Sequence, residues 1–182
     1  MRLLLLLATM ALTTPAMAQD PDASRFEYGP VFAEYGATAE IASTVTIPAD
    51  TQFKVAFDAA RQASGQRSNT TFNSAARLIN MHARAGHPVA QTQAAIVVHG
   101  GATMDVLNAT AYAARFDGAE NPSAGLVRAL LDHGVRIIVC GQSAVGQGVD
   151  ETSDLMEGVK VATSAMTAHA LLQQDGYTVN PF

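Results

Sequence analysis

From residue 53 onward, short apolar runs alternate with segments of helical periodicity, and this alternation restricts the fold more than any other feature. The run at 94–98 is apolar at every position, as expected of a strand covered on both faces of a parallel sheet. Five strands are predicted in all, at 53–57, 94–98, 135–139, 159–162 and 177–179. Strands joined by helices with right-handed connections indicate an α/β protein, a three-layer α/β/α sandwich with a mostly parallel five-stranded sheet.

Start and stop signals predict the helices between these strands. Ser68 or Asn69 can cap the first helix, and Gly86 and Pro88 end it. The remaining predicted helices lie at 105–114, from Asn121 and Pro122 to Gly134, near 154–157, and from Ser164 or Thr167 to Gly176.

The first 18 residues have the pattern of a signal peptide. Arg2 precedes an apolar run, and Ala16 and Ala18 supply the two small residues of a signal peptidase site, so we expect cleavage after Ala18. A membrane span needs about 20 apolar residues, and the run ends well short of that at Thr13. The chain is therefore expected to be exported to the periplasm and not to remain in the membrane.

Two further regions follow the signal peptide. Residues 19–50 mix prolines with aromatic residues, which are uncommon in disordered segments, and we interpret them as an extended N-terminal arm. We expect this arm to pack on its own domain or on a neighbouring subunit. Residues 51–182 form the α/β domain.

Charge and cysteine content restrict the partners. Cleavage removes Arg2 and leaves 10 basic against 16 acidic residues, a formal charge of −6. Nucleic acids and anionic membranes are bound largely through Lys and Arg, so neither is an expected partner. With one cysteine the chain cannot form an internal disulfide, and we expect core burial and oligomerisation to stabilise it.

That single cysteine, Cys140, follows a predicted strand and precedes a turn of small residues, Gly141, Gln142 and Ser143. Open α/β sheets bind ligands beyond the carboxyl ends of their strands. If the turn opens a helix, unpaired amides and the helix dipole favour a thiolate, Gly141 leaves room for a second molecule, and the next two side chains add hydrogen bonds. We therefore predict a nucleophilic, accessible thiol.

His99 and Gly100 end the neighbouring strand. His99 is the candidate helper, as a proton acceptor or as a donor to a bound anion. The other four histidines, His82, His87, His133 and His169, have no ligand spacing. A copper site formed by Cys140, His99 and Met104 is a weaker alternative, and neither a metal nor a cofactor is expected. Lys does not follow Gly146 as a phosphate-binding loop requires, and no GxSxG nucleophile motif is present.

Three segments together resemble the DsrE/DsrF-like sulfur-relay family, and the likeness covers about 53–182. They are Val97-Val98-His99-Gly100-Gly101-Ala102, the run from Gly134 to Ser143, and Leu172-Gln173-Gln174-Asp175-Gly176-Tyr177. The resemblance implies a compact α/β/α fold, assembly into homotrimers or hexamers, and a cysteine that carries sulfur as a persulfide, here Cys140. His99 and Gly100 match the family's histidine-glycine segment. The signal peptide is a departure, because the relay members work in the cytoplasm.

Two functions therefore stand as hypotheses. In the first, the protein is a periplasmic sulfur carrier, and Cys140 accepts sulfane sulfur from a small sulfur compound or a partner protein and passes it on. In the second, it is a non-catalytic oligomeric module that binds a small ligand, and Cys140 only packs as a small apolar residue.

Overall fold

The computed structural model describes residues 23–180, so the predicted signal peptide lies outside the described residues. The predicted five-stranded α/β fold is confirmed. The sheet is parallel throughout and has the order β4-β3-β2-β1-β5. Its strands are β1 (Phe53–Ala59), β2 (Thr92–Val98), β3 (Arg136–Cys140), β4 (Lys160–Ala162) and β5 (Thr178–Asn180).

Within residues 23–180, five α-helices connect or flank these strands. They are α1 (Thr70–Arg84), α2 (Ala109–Arg115), α3 (Ala124–Asp132), α4 (Gly141–Gly146) and α5 (Ala165–Gln174). Asn69 caps α1 by accepting hydrogen bonds from the amides of Thr71 and Phe72, and Ser164 caps α5 by accepting one from Thr167. Because these caps are side chains that favour the N-cap position, the sequence predicts the first residues of α1 and α5 correctly.

Three of the predicted helices differ from the structure. The segment 154–157 is not a helix, because Asp154 and Met156 form backbone hydrogen bonds with Asn108 and Val106 instead. The predicted helix at 105–114 is divided into a 3-10 helix, Gly100–Val106, and α2. Finally, α3 begins at Ala124 because Asn121 accepts the Ser123 amide in a turn before the helix.

Apolar side chains cover both faces of the sheet. On one face, strand residues such as Ile96 and Val139 pack with Phe72 of α1 and Leu130 of α3. On the other, Ala95 and Val97 pack with residues of α5, including Leu172. Burial of these surfaces is the main favourable term for folding, and the site described below lies at the end of the α5 face.

The described part of the arm, residues 23–50, is held against α1. Asn80 of α1 is fully buried, and its Oδ1 accepts the amides of Val31 and Phe32 at 3.0 and 2.9 Å. Its Nδ2 donates to the carbonyls of Phe32, Tyr35 and Gly36. One side chain therefore anchors a turn of the arm to the domain.

Within residues 23–180 no helix has the length and apolar character needed to cross a membrane.

Candidate functional site

The carboxyl ends of β1, β2 and β3 lie side by side and present three polar side chains. Val98 of β2 pairs with Val139 of β3, so His99 and Cys140 follow at neighbouring strand ends. Side chains alternate between faces along a strand, and Asp58, His99 and Cys140 each lie two residues after a strand residue that packs on the α5 side. All three therefore lie on the α5 face.

Cys140 is both the last residue of β3 and the N-cap of α4. Burial raises the pKa of its thiol, but hydrogen bonds from the Ser143 hydroxyl and from the amides of Ser143, Ala165 and Gln142 lower it below its ordinary value. The Ala165 amide belongs to the first turn of α5, so two helix N-termini meet at one sulfur. These contacts favour the thiolate, as the sequence predicted from α4 alone.

The thiol was expected to be accessible, but in the single chain it is buried. Cys140 exposes 6% of its surface, because α4 and the start of α5 cover the end of β3. The groups that contact the sulfur include the Ser143 hydroxyl and three backbone amides. The sulfur is therefore enclosed by hydrogen-bond donors and not only by apolar side chains.

Ser143 links this site to the turn after β2. Its Oγ accepts the Gly100 amide at 3.2 Å, and Gln147 donates to the Gly100 carbonyl. Gly100 has φ +51°, and a Cβ atom there would lie 2.9 Å from the Ala60 carbonyl oxygen. Only glycine satisfies both conditions, which explains why glycine follows His99 and begins the 3-10 helix.

Gly141 and Gln142 face β4. A Cβ atom at Gly141 would lie 3.1 Å from the Ala162 carbonyl oxygen, so glycine allows close packing against β4. The Gln142 side chain donates to the Thr163 carbonyl at 3.4 Å, while its backbone amide faces the sulfur. The predicted binding residues Gly141, Gln142 and Ser143 thus surround Cys140, although the Gln142 side chain is directed elsewhere.

His99 contacts a carboxylate, not the sulfur. Its Nε2 lies 3.0 and 3.1 Å from the two carboxylate oxygens of Asp58, and Nε2 of His169 on α5 lies 2.7 Å from one of them. Burial raises the pKa of Asp58, but the hydrogen bonds and charges of the two histidines lower it overall. We call Asp58, His99 and His169 the histidine–carboxylate cluster.

Sequence reasoning missed two members of this cluster. Asp58 directly follows a predicted strand, and its position at the same sheet edge as Cys140 and His99 was a usable signal. His169 had no such signal, because its proximity to Asp58 depends on how α5 packs across the sheet.

A buried carboxylate, unlike the exposed Asp58, fixes the loop after β1. Asp105 is fully buried, and it accepts hydrogen bonds from the Ala63 amide, the Asn69 side chain and the Ser123 hydroxyl. Burial raises its pKa, and these hydrogen bonds oppose that effect. The loop that carries Ala60, against which Gly100 packs, is therefore held firmly in place.

The model of the DsrE/DsrF-like family matches residues 54–181. The chain belongs to the DsrE/DsrF-like family. No protein of curated function matches this DsrE/DsrF-like chain.

Two solved structures share the DsrE-like fold. A protein of unknown function from Methanobacterium thermoautotrophicum is 19% identical, with a TM-score of 0.52, over 71% of this chain and 98% of its own. The ychN protein from E. coli is 17% identical, also with a TM-score of 0.52, over 72% of this chain and 100% of its own. At these identities the comparison supports the fold alone.

An open groove lies beside the site of this DsrE/DsrF-like chain. Its volume is about 910 Å³, and it runs along β3, β4 and α5 up to Ala162 and Thr163. Cys140 does not line it. Two of the side chains that line it, Val161 on β4 and Leu171 on α5, are apolar and exposed, and Val145 on α4 and Met166 on α5 are also exposed. Exposed apolar side chains beside a groove are typical of sites where proteins associate.

The residues considered for copper are not brought together. Met104 is buried in the core on the α1 and α3 side of the sheet, whereas Cys140 and His99 are on the α5 face. Among residues 23–180, no group of three or more histidine, cysteine or carboxylate side chains has the geometry of a metal site.

Proposed function

We propose that this protein carries sulfane sulfur as a persulfide on Cys140. The observation that supports the proposal is the set of donors around the sulfur: the Ser143 hydroxyl and amides from the first turns of both α4 and α5. A thiolate is the form that attacks sulfur, and this arrangement stabilises negative charge on Cys140. It would stabilise a persulfide anion in the same way, provided that the terminal sulfur stays near these donors.

The proposed step conserves electrons. The Cys140 thiolate attacks the outer sulfur of a donor persulfide, R–S–SH, and a new S–S bond forms as the donor's S–S bond breaks. The donor leaves as R–S⁻ with the electron pair of the broken bond, and Cys140 holds the transferred sulfur as –S–SH. No net oxidation occurs, and the lack of a second cysteine means that the chain cannot expel the sulfur by forming an internal disulfide.

Sulfur uptake by the purified protein tests the proposal directly. Reduced protein incubated with sodium polysulfide should gain the mass of one or more sulfur atoms, and dithiothreitol should remove it. Cys140→Ser should gain none, while Ser74→Ala on α1 should behave as the wild type. No mass gain by the wild-type protein would overturn the proposal.

A second candidate is a non-catalytic module that binds a small ligand. It is favoured by the 6% exposure of Cys140 and by the large groove that Cys140 does not line. Under this function Cys140 packs as a small apolar residue, so iodoacetamide should label it slowly in the folded state. Rapid labelling of the folded protein supports the sulfur carrier instead.

Assembly and location complete the proposal. The exposed apolar side chains around the groove fit association with further copies of the chain, as a homotrimer or hexamer. A partner protein or a small sulfur compound would supply or accept the sulfur. We also propose export to the periplasm with cleavage after Ala18, which N-terminal sequencing of protein from the periplasmic fraction would test.

A further inference from the structure

The histidine–carboxylate cluster has no role in the sulfur-transfer step written above, although it lies on the same face as Cys140. Asp58 lies in β1, His99 directly follows β2 and His169 lies in α5, yet both histidines contact the Asp58 carboxylate. The side chains of His99 and His169 are 30% and 18% exposed, so His169 is the more enclosed of the two rings.

Asp58 determines which nitrogen of His169 carries the proton. The carboxylate accepts a hydrogen bond from Nε2 at 2.7 Å, so Nε2 is protonated. In the neutral ring the other nitrogen, Nδ1, is then the acceptor. Carboxylates orient histidine bases in this way in many hydrolases, where loss of the correct tautomer impairs proton transfer.

Nδ1 of His169 is buried and has no hydrogen-bond partner in the structure. An unsatisfied buried polar atom costs about 1–3 kcal/mol, so its position calls for an explanation. The side chain of a helical residue leans toward the N-terminal end of its helix. His169 lies one turn after Ala165, whose amide contacts the Cys140 sulfur, so this lean carries the ring toward the turn that holds the sulfur, although the sulfur is not itself a hydrogen-bond partner of Nδ1.

We propose that His169 is the proton carrier of the Cys140 site and that Asp58 is its positioning residue. This inference rests on the proposed sulfur transfer. Nδ1 accepts the proton of the Cys140 thiol, and the resulting thiolate attacks the outer sulfur of R–S–SH. The imidazolium then gives its proton to the leaving R–S⁻. The products are Cys140–S–SH and R–SH, and His169 returns to its neutral form.

The surrounding charges are consistent with this cycle. The titratable groups that share the α5 face at this end are Asp58, His99 and Cys140, and α4 and α5 contain no Asp, Glu, Lys or Arg. Arg61 and Arg67, on the segment after β1, line a pocket together with Asp58. Lys54 and Arg136 lie at the opposite end of the face and pair with Asp175 after α5, and Lys160 is on the edge strand β4. Asp58 is therefore the anion paired with an imidazolium at His169.

The proposal specifies the class of donor that needs His169. A leaving thiolate of high pKa departs slowly without a proton, whereas a polysulfide chain leaves readily as an anion. Proton transfer from a positioned side chain typically contributes a factor of about 10² to 10⁴. His169 should therefore matter for organic persulfides, such as glutathione persulfide, and much less for inorganic polysulfide.

The variant His169→Gln separates the proton role from a structural one. The glutamine amide reaches about as far as Nε2 and can still donate to Asp58, but it has no group that titrates in place of Nδ1. We expect sulfur uptake from glutathione persulfide to slow by at least about tenfold, with a smaller change for sodium polysulfide. The matched control is His133→Gln, at the end of α3 on the other side of the sheet, which should match the wild type.

Alkylation provides a readout that is independent of sulfur transfer. The rate of iodoacetamide labelling against pH reports the titration of Cys140, and His169→Gln should move this profile whereas His133→Gln should not. If His169→Gln leaves both the profile and the uptake from glutathione persulfide unchanged, the role of His169 is overturned and the sulfur carrier still stands. If the wild-type protein takes up no sulfur, the proposed function fails. In that case an alkylation profile of His169→Gln that coincides with that of the wild type would refute the link between His169 and Cys140 as well.

Discussion

Individual hydrogen-bond donors determine the chemistry of the one cysteine. Ser143 is central among them, because its hydroxyl and its amide both contact the Cys140 sulfur, and its oxygen also accepts the Gly100 amide. A single residue thus stabilises the thiolate and fixes the neighbouring turn. Loss of the Ser143 hydroxyl should therefore affect the reactivity of the Cys140 thiol more than it affects the fold.

We expect Ser143→Ala to raise the pKa of Cys140. The lowered pKa of the wild-type thiol means that the thiolate persists to lower pH than in a free cysteine, and removal of the hydroxyl reduces this effect. One hydrogen bond to a charged group is worth about 1.5 kcal/mol, so the acid dissociation constant of the thiol should fall by about tenfold. Iodoacetamide labelling rates across pH 5 to 9, a window chosen around the usual cysteine pKa of about 8.5, measure this change.

Ser74→Ala is the matched control for that substitution. The Ser74 hydroxyl donates to the Thr70 carbonyl within α1 and is remote from the strand ends. A labelling profile of Ser143→Ala that coincides with those of Ser74→Ala and the wild type would show that the hydroxyl does not stabilise the thiolate.

At the scale of elements, the site depends on where strands end and helices begin. Cys140 ends β3 and caps α4, and the start of α5 supplies the Ala165 amide. The arm is a separate element, and its anchor on α1 lies on the other side of the sheet. Arm and site can therefore be perturbed independently.

Asn80→Ala should release the arm from α1. The substitution leaves the buried amide of Phe32 and several carbonyls without the partner that Asn80 provides. Each unsatisfied buried group costs about 1–3 kcal/mol, so the free energy of unfolding should fall by at least about 2 kcal/mol. Urea unfolding measures the loss, and limited proteolysis should cut the arm faster than in the wild type.

The exposed residue Arg77, also on α1, offers a control for this experiment. Arg77→Ala removes an exposed side chain and should change stability by no more than about 0.5 kcal/mol. Equal proteolysis of the wild-type and Asn80→Ala arms would contradict the assigned anchor.

On the scale of the whole molecule, the distribution of exposed apolar surface is uneven. Leu171 and Val161 line the groove beside the site and are 56% and 43% exposed, and Met166 in the first turn of α5 is 80% exposed. A second copy of the chain on this face would bury these side chains close to the residues that enclose Cys140. Assembly and access to the thiol are therefore expected to be linked.

A charge in this surface should dissociate the proposed oligomer. We expect Leu171→Asp to lower the mass measured by sedimentation equilibrium toward that of the single chain, because a carboxylate would be buried without a partner. The control is Val89→Asp. Val89 is 37% exposed and lies shortly before β2, and it does not line the groove. Unchanged mass for Leu171→Asp would exclude this face as the interface.

Local signals in the sequence were sufficient for the strands and for the position of the thiol. Each strand was predicted to within a few residues, because buried parallel strands are short apolar runs bounded by glycine, proline and capping residues. The predicted helices at 105–114, 121–134 and 154–157 differ from the structure. Backbone contacts between the segments near 106–108 and 154–156 replace helical hydrogen bonds in the first and third, and a local turn at Asn121 delays the start of the second.

By itself, the sequence determined the α/β fold and the location of Cys140 at a strand end, since both follow from periodicity over a few residues. Tertiary structure alone decided that α5 brings His169 to Asp58 and the Ala165 amide to the sulfur, and that Cys140 is enclosed. Those contacts join residues from 25 to 111 positions apart. Their formation depends on how a helix packs across a sheet, which no local pattern of residues encodes.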